Sequence, residues 1–336
     1  MTPDQVQAIV ANGRFPGQKQ PVSLVETHIS WVIMTPDFVF KIKKPVQFSF
    51  LDFSTSGKRA FFCREELHLN KRLAPEMYLD VLPIGLADDG TAYIGDHQTP
   101  AIELCVWMKR MDDRCQMDRL LRKKAVSNLQ LSALAEILAR FHLSVVIPSH
   151  QIPYQQRETR ADFEDLFRLE SVCGQLFGDK ASAILRDWRN KIARFLDDHV
   201  PRLRERAQSG FWVDGHGDLH SRNIFLLPEG PMVFDCIEFN PHFRKLDILN
   251  ELAFLCMDLE AGGHSALSEV FMEHYRRHWP CIESNEDRRL FDYFKAYRAN
   301  VRLKVTLLEW QQHQRVDLVE TAKLYWNLML QYIGAL

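Results

Sequence analysis

HGDLHSRN, His216 to Asn223, is the stretch on which the fold turns. It places Asp218 between two histidines and Asn223 five positions after the aspartate. A metal hydrolase, a phosphoryl-transfer loop and a plain polar turn all use such residues. The surroundings, FWVDGHGDLHSRNIFLLPEGPMVFDCIEFN over residues 211–240, narrow the choice. IFLL and PMVF are apolar runs on either side of a PEG turn, which is the pattern of a short hairpin. The polar residues therefore stand at strand ends, where a scaffold presents loop side chains rigidly.

Helical sequence surrounds this hairpin. LSALAEILARFHLS, DFEDLFRLESVCGQLF and ASAILRDWRNKIARFLDDHVPRLRERAQ precede it. NEDRRLFDYFKAYRANVRLKVTLLEWQQH and VDLVETAKLYWNLMLQYIG follow it, all with helical periodicity. The first part of the chain reads differently. After a short helix with Thr2 and Gln5 at capping-box spacing come PVSLVETHISWVIM, a TPD turn and FVFKIKK. In FVFKIKK, Phe38, Phe40 and Ile42 share one face and Val39, Lys41 and Lys43 the other. A helix over TSGKRAFFCREELHLNKRLAP ends by Pro75. VLPIGLADDGTAYIGDHQTPAIELCVWMKRM then reads as strands around a DDG turn. Strands, one helix, then strands indicate a mixed, largely antiparallel sheet with one helix rather than a βαβ repeat.

Composition excludes some functions. The net charge of −2 over 336 residues gives no basic excess for nucleic acid or an anionic membrane surface. No apolar run approaches the ~20 residues of a membrane span. The start MTPDQVQAIVANGRF lacks the basic and apolar regions of a secretory leader. The seven cysteines are scattered without a CxxC pair, which predicts reduced thiols, a cytoplasmic setting and no cysteine-based zinc site.

Phosphoryl transfer requires a carboxylate that orients the acceptor hydroxyl and takes its proton. It also requires an asparagine and a second carboxylate that hold Mg²⁺ against the phosphates. The spacing H-x-D-x-x-x-x-N, with a further aspartate after the next hairpin, is met by His216, Asp218, Asn223 and Asp235. That template also needs a strand lysine and a glutamate on the next helix. Lys41 and Lys43 are the candidate lysines and Glu65 and Glu66 the candidate glutamates. Helical spacing from Phe62 and Leu69 favours Glu65. ETHIS, Glu26 to Ser30, stands where a phosphate loop belongs. It has no glycine, so its amides and the Ser30 hydroxyl are the candidate grip. VWMKRMDDR stands where a connector belongs: backbone at Lys109 to Met111 for the adenine edge, and Met108 for the base pocket. His216 reads as a hub of its loop, and His220 as a solvent-facing histidine without a role. A metal hydrolase needs a further matched set, but no H-x-H or H-E-x-x-H occurs. Lys295, Arg298 and Arg302 form one helical stripe, either a patch for an anionic acceptor or a solvated face.

The chain resembles the aminoglycoside phosphotransferase and choline kinase group of kinase-like small-molecule phosphotransferases, whose loop reads HGDxHxxN. The resemblance implies Asp218 as catalytic base, Asn223 and Asp235 as Mg²⁺ ligands, Lys41 on the nucleotide phosphates and Glu65 as its ion-pair partner. LAEILARFH is similar to a family helix that ends in a histidine. Asp247 and Glu251 occupy the places of two family aspartates, so Glu251 is a departure. ETHISWV, KKPVQFSFLDFS, FDCIEFN and YRANVRLKV resemble a bacterial branch of the group, some of whose members carry an added P-loop ATPase domain. No P-loop motif occurs here.

The resemblance implies an α+β, bilobal, protein-kinase-like fold. Its small β-rich lobe would cover 1–108 and its helical lobe 109–336, the latter carrying the 211–240 hairpin. The expected activity is transfer of the γ-phosphoryl of ATP, with Mg²⁺, to a hydroxyl of a small molecule. No nucleic-acid or membrane partner is expected, and the sequence does not address oligomeric state. A protein Ser/Thr kinase would need a longer segment with an APE-like end after Asp235. A non-catalytic nucleotide-binding module would have lost one of these residues.

Overall fold

The structure is a computed structural model. It describes residues 1–17, 23–48, 50–87, 91–152, 163–164 and 166–336. The chain divides into two compact units, Met1–Leu120 with Arg222–Phe243, and Leu121–Ser221 with Arg244–Leu336. The Ile224–Val233 hairpin thus belongs to the unit that holds the N-terminal sheet.

The first unit opens with helix α1 (Pro3–Asn12), closed by the expected Thr2–Gln5 capping box. Six strands follow: β1 (Ser23–Glu26), β2 (Ser30–Met34), β3 (Phe38–Lys43), β4 (Tyr78–Leu86), β5 (Ala92–Ile94) and β6 (Ala101–Lys109). They form an antiparallel sheet in the order β1-β2-β3-β6-β4-β5. Helix α2 (Ser56–Asn70) lies between β3 and β4 in sequence. Alternation along β3 sorts its side chains as expected. Phe40 and Ile42 join Val6 and Ile9 of α1 in one core. Val39 joins Cys63 of α2, Tyr78, Val106 and Met108 in the other, together with Phe225 and Met232 of the hairpin. Lys41 and Lys43 share that second face, so two cations are carried into a packed interior. The expected DDG turn, residues 88–90, lies outside the described residues.

The second unit contains helices α3 (Asn128–Ser144), α4 (Glu170–Phe177), α5 (Ala181–Gln208), α6 (Ile248–Ala261), α7 (Ser265–His278), α8 (Asn285–His313) and α9 (Val316–Ala335). Of the helix expected over DFEDLFRLESVCGQLF, Asp162 and Asp165 lie outside the described residues, residues 163–164 and 166–167 are helical, and α4 follows. A two-stranded ribbon pairs Trp212–Asp214 with Lys245–Asp247 beside these helices. Helix α6 is buried along almost its whole length, which suits a sequence apolar on most sides. Among the described residues no helix is long and apolar enough to cross a membrane.

Candidate active site

In the first unit the two lysines of β3 meet one carboxylate. Lys41 Nζ lies 2.8 Å from Glu66 Oε1 and 2.6 Å from Asp235 Oδ1. Lys43 Nζ lies 2.7 Å from Glu66 Oε2 and also pairs with Glu238. Glu66, not Glu65, is therefore the helix partner of Lys41. The reason is the face that α2 buries: Arg59, Cys63, Glu66 and Asn70 recur at helical spacing and turn inward, whereas Glu65 is only half-buried. Phe62, only half-buried, and Leu69, buried three positions after Glu66, do not separate the two glutamates, because the inward stripe is largely polar. Glu66 does not separate Lys41 from Lys43, since each holds one of its oxygens, but only Lys41 also reaches the accessible Asp235.

Burial opposes the charge on Lys41, but the carboxylates of Asp235 and Glu66 outweigh it and its pKa is raised. Lys43 is raised in the same way, with Glu238 and then Glu66 outweighing burial. Burial also opposes ionisation of Glu66, and the two lysines overcome it and hold its pKa low. Glu238 goes the other way. Burial pushes its pKa up, and the Glu66 carboxylate adds to this against the pull of Lys43. The cluster holds three carboxylates and two lysines, and its surroundings oppose the charged form of Glu238.

The segment after the hairpin is pinned around Asp235. Asp235 takes a left-handed φ of 64°, which an aspartate tolerates better than most residues. Its amide donates to the Tyr78 hydroxyl at 3.3 Å. The Cys236 amide donates to Asn70 Oδ1 at 2.8 Å, and Asn70 Nδ2 donates back to the Glu66 carbonyl at 2.9 Å. Asn223 precedes the hairpin and is buried, and its carbonyl accepts from the Phe234 amide at 3.0 Å. One hairpin end therefore carries both Asn223 and Asp235. The Asp235 side chain is 42% exposed, whereas that of Glu66 is fully buried. An amide oxygen and an accessible carboxylate are hard oxygen donors. They fit a Mg²⁺ ion that takes its remaining ligands from phosphates and water.

Two other expected nucleotide contacts change. Ser30 is fully buried, and its Oγ has no hydrogen-bond partner among the described residues. Its amide and that of Ile29 donate to Thr27 Oγ1, and the Thr27 amide donates to the Ser30 carbonyl. The backbone of the turn is thus tied to Thr27 and Ser30, and the Ser30 hydroxyl lies buried rather than at the surface where a phosphate would meet it. In the connector, Met108 is buried, Lys109 is exposed and Met111 packs at the edge of the second core. The Lys109 amide donates to Met77 and the Arg110 amide to Asp37, both at 2.8 Å. Neither of those two donors is available to an adenine edge.

In the second unit the HGDLHS loop is held by buried side chains beneath its backbone. The His216 and Gly217 amides donate to the two Glu251 carboxylate oxygens, at 2.5 and 2.9 Å. Gly217 has a φ of 83°, a conformation that favours glycine. A Cβ at Gly215 would stand 2.8 Å from Glu251 Oε1, so the glycine makes room for the longer glutamate. From the other side, Arg298 Nη1 donates to the Gly217 carbonyl at 3.0 Å. His142, at the end of α3, lies 3.6 Å from Glu251 and 3.0 Å from the Tyr275 hydroxyl. Burial opposes ionisation of Glu251, but His142, His216 and the His216 amide bring its pKa down to about 2. Asp247 caps α6 and forms a buried two-point pair with Arg206, at 2.8 and 2.9 Å.

His216 is the loop hub expected of it, since its Nδ1 accepts from the Asp218 amide at 3.2 Å. His220 is not solvent-facing. It is buried, packs edge-on to Phe254, and sets Nε2 3.3 Å from Asp218 Oδ2. Burial opposes the Asp218 charge, and His220, His216 and Arg302 hold its pKa well below the usual carboxylate range. Asp218 is thus an ionised carboxylate, partly exposed, with one oxygen tethered. The two histidines serve the aspartate and its loop rather than converging on a shared point. Among the described residues no group of three or more His, Cys, Asp or Glu is arranged to hold a metal. The stripe on α8 also faces inward. Lys295 pairs with Glu260 and Asp292, and Arg298 is buried. The sequence singled out Glu251 and Arg298 without showing that they support the loop, and gave no sign of Arg206, because each acts over more than 30 positions of chain.

A kinase-like arrangement of lysine, helix glutamate and hairpin aspartate, with a supported HGD loop, defines a class of protein. The phosphotransferase enzyme family profile matches residues 52–284. The chain belongs to that family. It is 32% identical over 298 residues to uncharacterized proteins of Mycobacterium tuberculosis and Mycobacterium bovis. The match covers 87% of this chain and 56% of theirs, so the chain spans about half the length of those relatives. Among solved structures it is similar to the GDP and kanamycin complex of APH(2″)-IIIa, with a TM-score of 0.57, 14% identity, and 98% and 99% of the two chains covered. It is also similar to choline kinase from Cryptosporidium parvum, with a TM-score of 0.53, 11% identity, and 98% and 94% covered. A choline/ethanolamine kinase family protein from Mesorhizobium loti gives 0.54 at 13% identity, with 100% and 99% covered. These likenesses establish the protein-kinase-like α+β fold.

Proposed function

We propose that the chain is an ATP- and Mg²⁺-dependent phosphotransferase that moves the γ-phosphoryl of ATP to a hydroxyl of a small molecule. The observation that carries this reading is Lys41, set between the buried Glu66 and the accessible Asp235 on one hairpin-bearing unit. Lys41 holds the nucleotide phosphates, with Glu66 fixing its Nζ. Asn223 and Asp235 hold Mg²⁺, which neutralises charge on the phosphates. Met108 lines the base pocket, and Met111 is the connector amide left for the adenine edge. Asp218 orients the acceptor hydroxyl and accepts its proton, and His220 fixes the rotamer of that carboxylate. Positioning and electrostatics supply most of the rate in this chemistry. Family membership and the kinase fold support the assignment, and the seven unpaired cysteines support a reducing, cytoplasmic setting. A Ser/Thr protein kinase is the weaker reading, because a short turn at Pro241–Phe243 and a strand at Lys245–Asp247 follow Asp235 closely.

The test is ATP consumption across sugars, amino alcohols, hydroxy acids and nucleosides, with Asp218→Ala as control. Acceptor-dependent turnover should appear with the wild-type protein and fall by a factor of about 10²–10⁴ in the variant, the usual weight of a general base. Full turnover in Asp218→Ala would remove the assignment of the base.

A further inference from the structure

Three cations, Lys295, Arg298 and Arg302, line one stripe of α8, and two of them are tied down by carboxylate or carbonyl oxygens. Lys295 is paired with Asp292 at 3.0 Å and Glu260 at 3.3 Å. Arg298 donates to the Gly217 carbonyl at 3.0 Å and to Asn250 Oδ1 at 2.7 Å. Arg302 differs. It stands one turn beyond the residue that grips Gly217, and its Nε donates to the Tyr325 hydroxyl at 3.3 Å. Its guanidinium lies 5.7 Å from the Tyr325 ring. It makes no ion pair among the described residues, and no described residue accepts from its terminal nitrogens. Burial opposes its charge, but Tyr325 and then the carboxylates of Asp218 and Asp258 outweigh it and raise its pKa. Asp258 is already engaged, because it accepts from the Ser221 amide at 2.9 Å. A half-buried guanidinium one turn beyond the clamp on the loop of the proposed base, with its terminal N–H groups left without a protein acceptor among the described residues, is placed to serve an anion.

We propose that Arg302 is the recognition residue for the acceptor, and that the acceptor carries a carboxylate or phosphate group near the hydroxyl that Asp218 serves. Tyr325 holds Nε, which leaves the terminal N–H pair for two-point binding of that anion. A neutral or cationic acceptor would leave those terminal donors to solvent. This rests on the phosphotransferase reading, but the anion site can be tested without turnover.

Inorganic phosphate is the probe, titrated calorimetrically into nucleotide-free protein. Binding should be lost in Arg302→Gln, partly kept in Arg302→Lys, and retained in Lys41→Met, which removes the lysine assigned to nucleotide phosphates. Phosphate binding that survives Arg302→Gln, or that needs Lys41 instead, overturns the proposal. In turnover, glycerol, glycerate and glycerol phosphate form a matched set. Only the two anions should be phosphorylated, and Arg302→Gln should raise their KM at least about ten-fold, the worth of one charge-assisted hydrogen bond. KM for ATP should not change. Preference for glycerol, or a rise in KM for ATP alone, overturns the proposal while leaving the phosphotransferase reading intact. Arg302-dependent phosphate binding with no transfer to any compound would keep the anion site and remove the kinase reading.

Discussion

The two units hold their chemical groups in opposite ways. In the first, functional side chains hold one another: Lys41, Lys43, Glu66, Asp235 and Glu238 form one ion-pair network, mostly out of water. In the second, buried side chains hold the backbone: Glu251 and Arg298 clamp the Gly217 peptide from either side and leave Asp218 partly exposed. A network of charges with one carboxylate in excess can shift partners when a cation and phosphates arrive. A loop clamped through its amides and carbonyl keeps one shape. The first arrangement suits a group that changes ligands during a cycle, and the second suits a base that must stay aligned.

The contrast can be broken at its most sensitive point, Glu66. Glu66→Gln leaves two buried lysines short of a counter-charge and should cost about 3–5 kcal/mol, the price of opening a buried ion pair. Urea unfolding reads this directly. Loss of less than about 1 kcal/mol would mean that Asp235 and Glu238 suffice for both lysines.

Glu251 gives a smaller and pH-dependent effect. Its pKa falls from 4.5 to about 2 on folding, so the fold favours the carboxylate. Its contribution is complete above pH 4.5 and fades as pH drops toward 2. At about 1.4 kcal/mol per pKa unit this amounts to roughly 3 kcal/mol. Glu251→Gln should therefore be less stable at neutral pH and lose stability less steeply below pH 4.5. Parallel stability curves for the two proteins would contradict the clamp.

The Lys43–Glu238 pair sharpens the account of the first unit. Lys43→Met and Glu238→Gln should each destabilise, and the double variant should be milder than their sum, with a coupling of about 1–3 kcal/mol. Additive effects would show that Lys43 serves Glu66 alone. The smallest effect is expected at Glu65: Glu65→Gln should stay within about 0.5 kcal/mol of wild type with unchanged ATP affinity, as for a surface position.

Legibility in the sequence divides along the same line. Alternation in FVFKIKK showed the faces of β3, and HGDLHSRN with FDC marked Asp218, Asn223 and Asp235 as candidates, because each is a local pattern. Glu66 was missed by one position because the inward face of α2 carries Arg59, Glu66 and Asn70, which reverses the apolar-inward rule. His220 looked like a loop histidine, since nothing local shows that Phe254 and Asp218 enclose it. Ser30 was read as a grip because a turn that bonds to its own Thr27 cannot be told from an open one by composition. The clamp at Glu251 and Arg298 needs tertiary structure, for neither lies near the loop in the chain.

The most direct test of the central claim is calorimetric binding of ATP with and without Mg²⁺ to wild type, Asp235→Asn and Asp218→Asn. The account predicts Mg²⁺-dependent binding that Asp235→Asn loses and Asp218→Asn keeps. Binding that is indifferent to Mg²⁺ in the wild type, or that depends on Asp218 rather than Asp235, would contradict it.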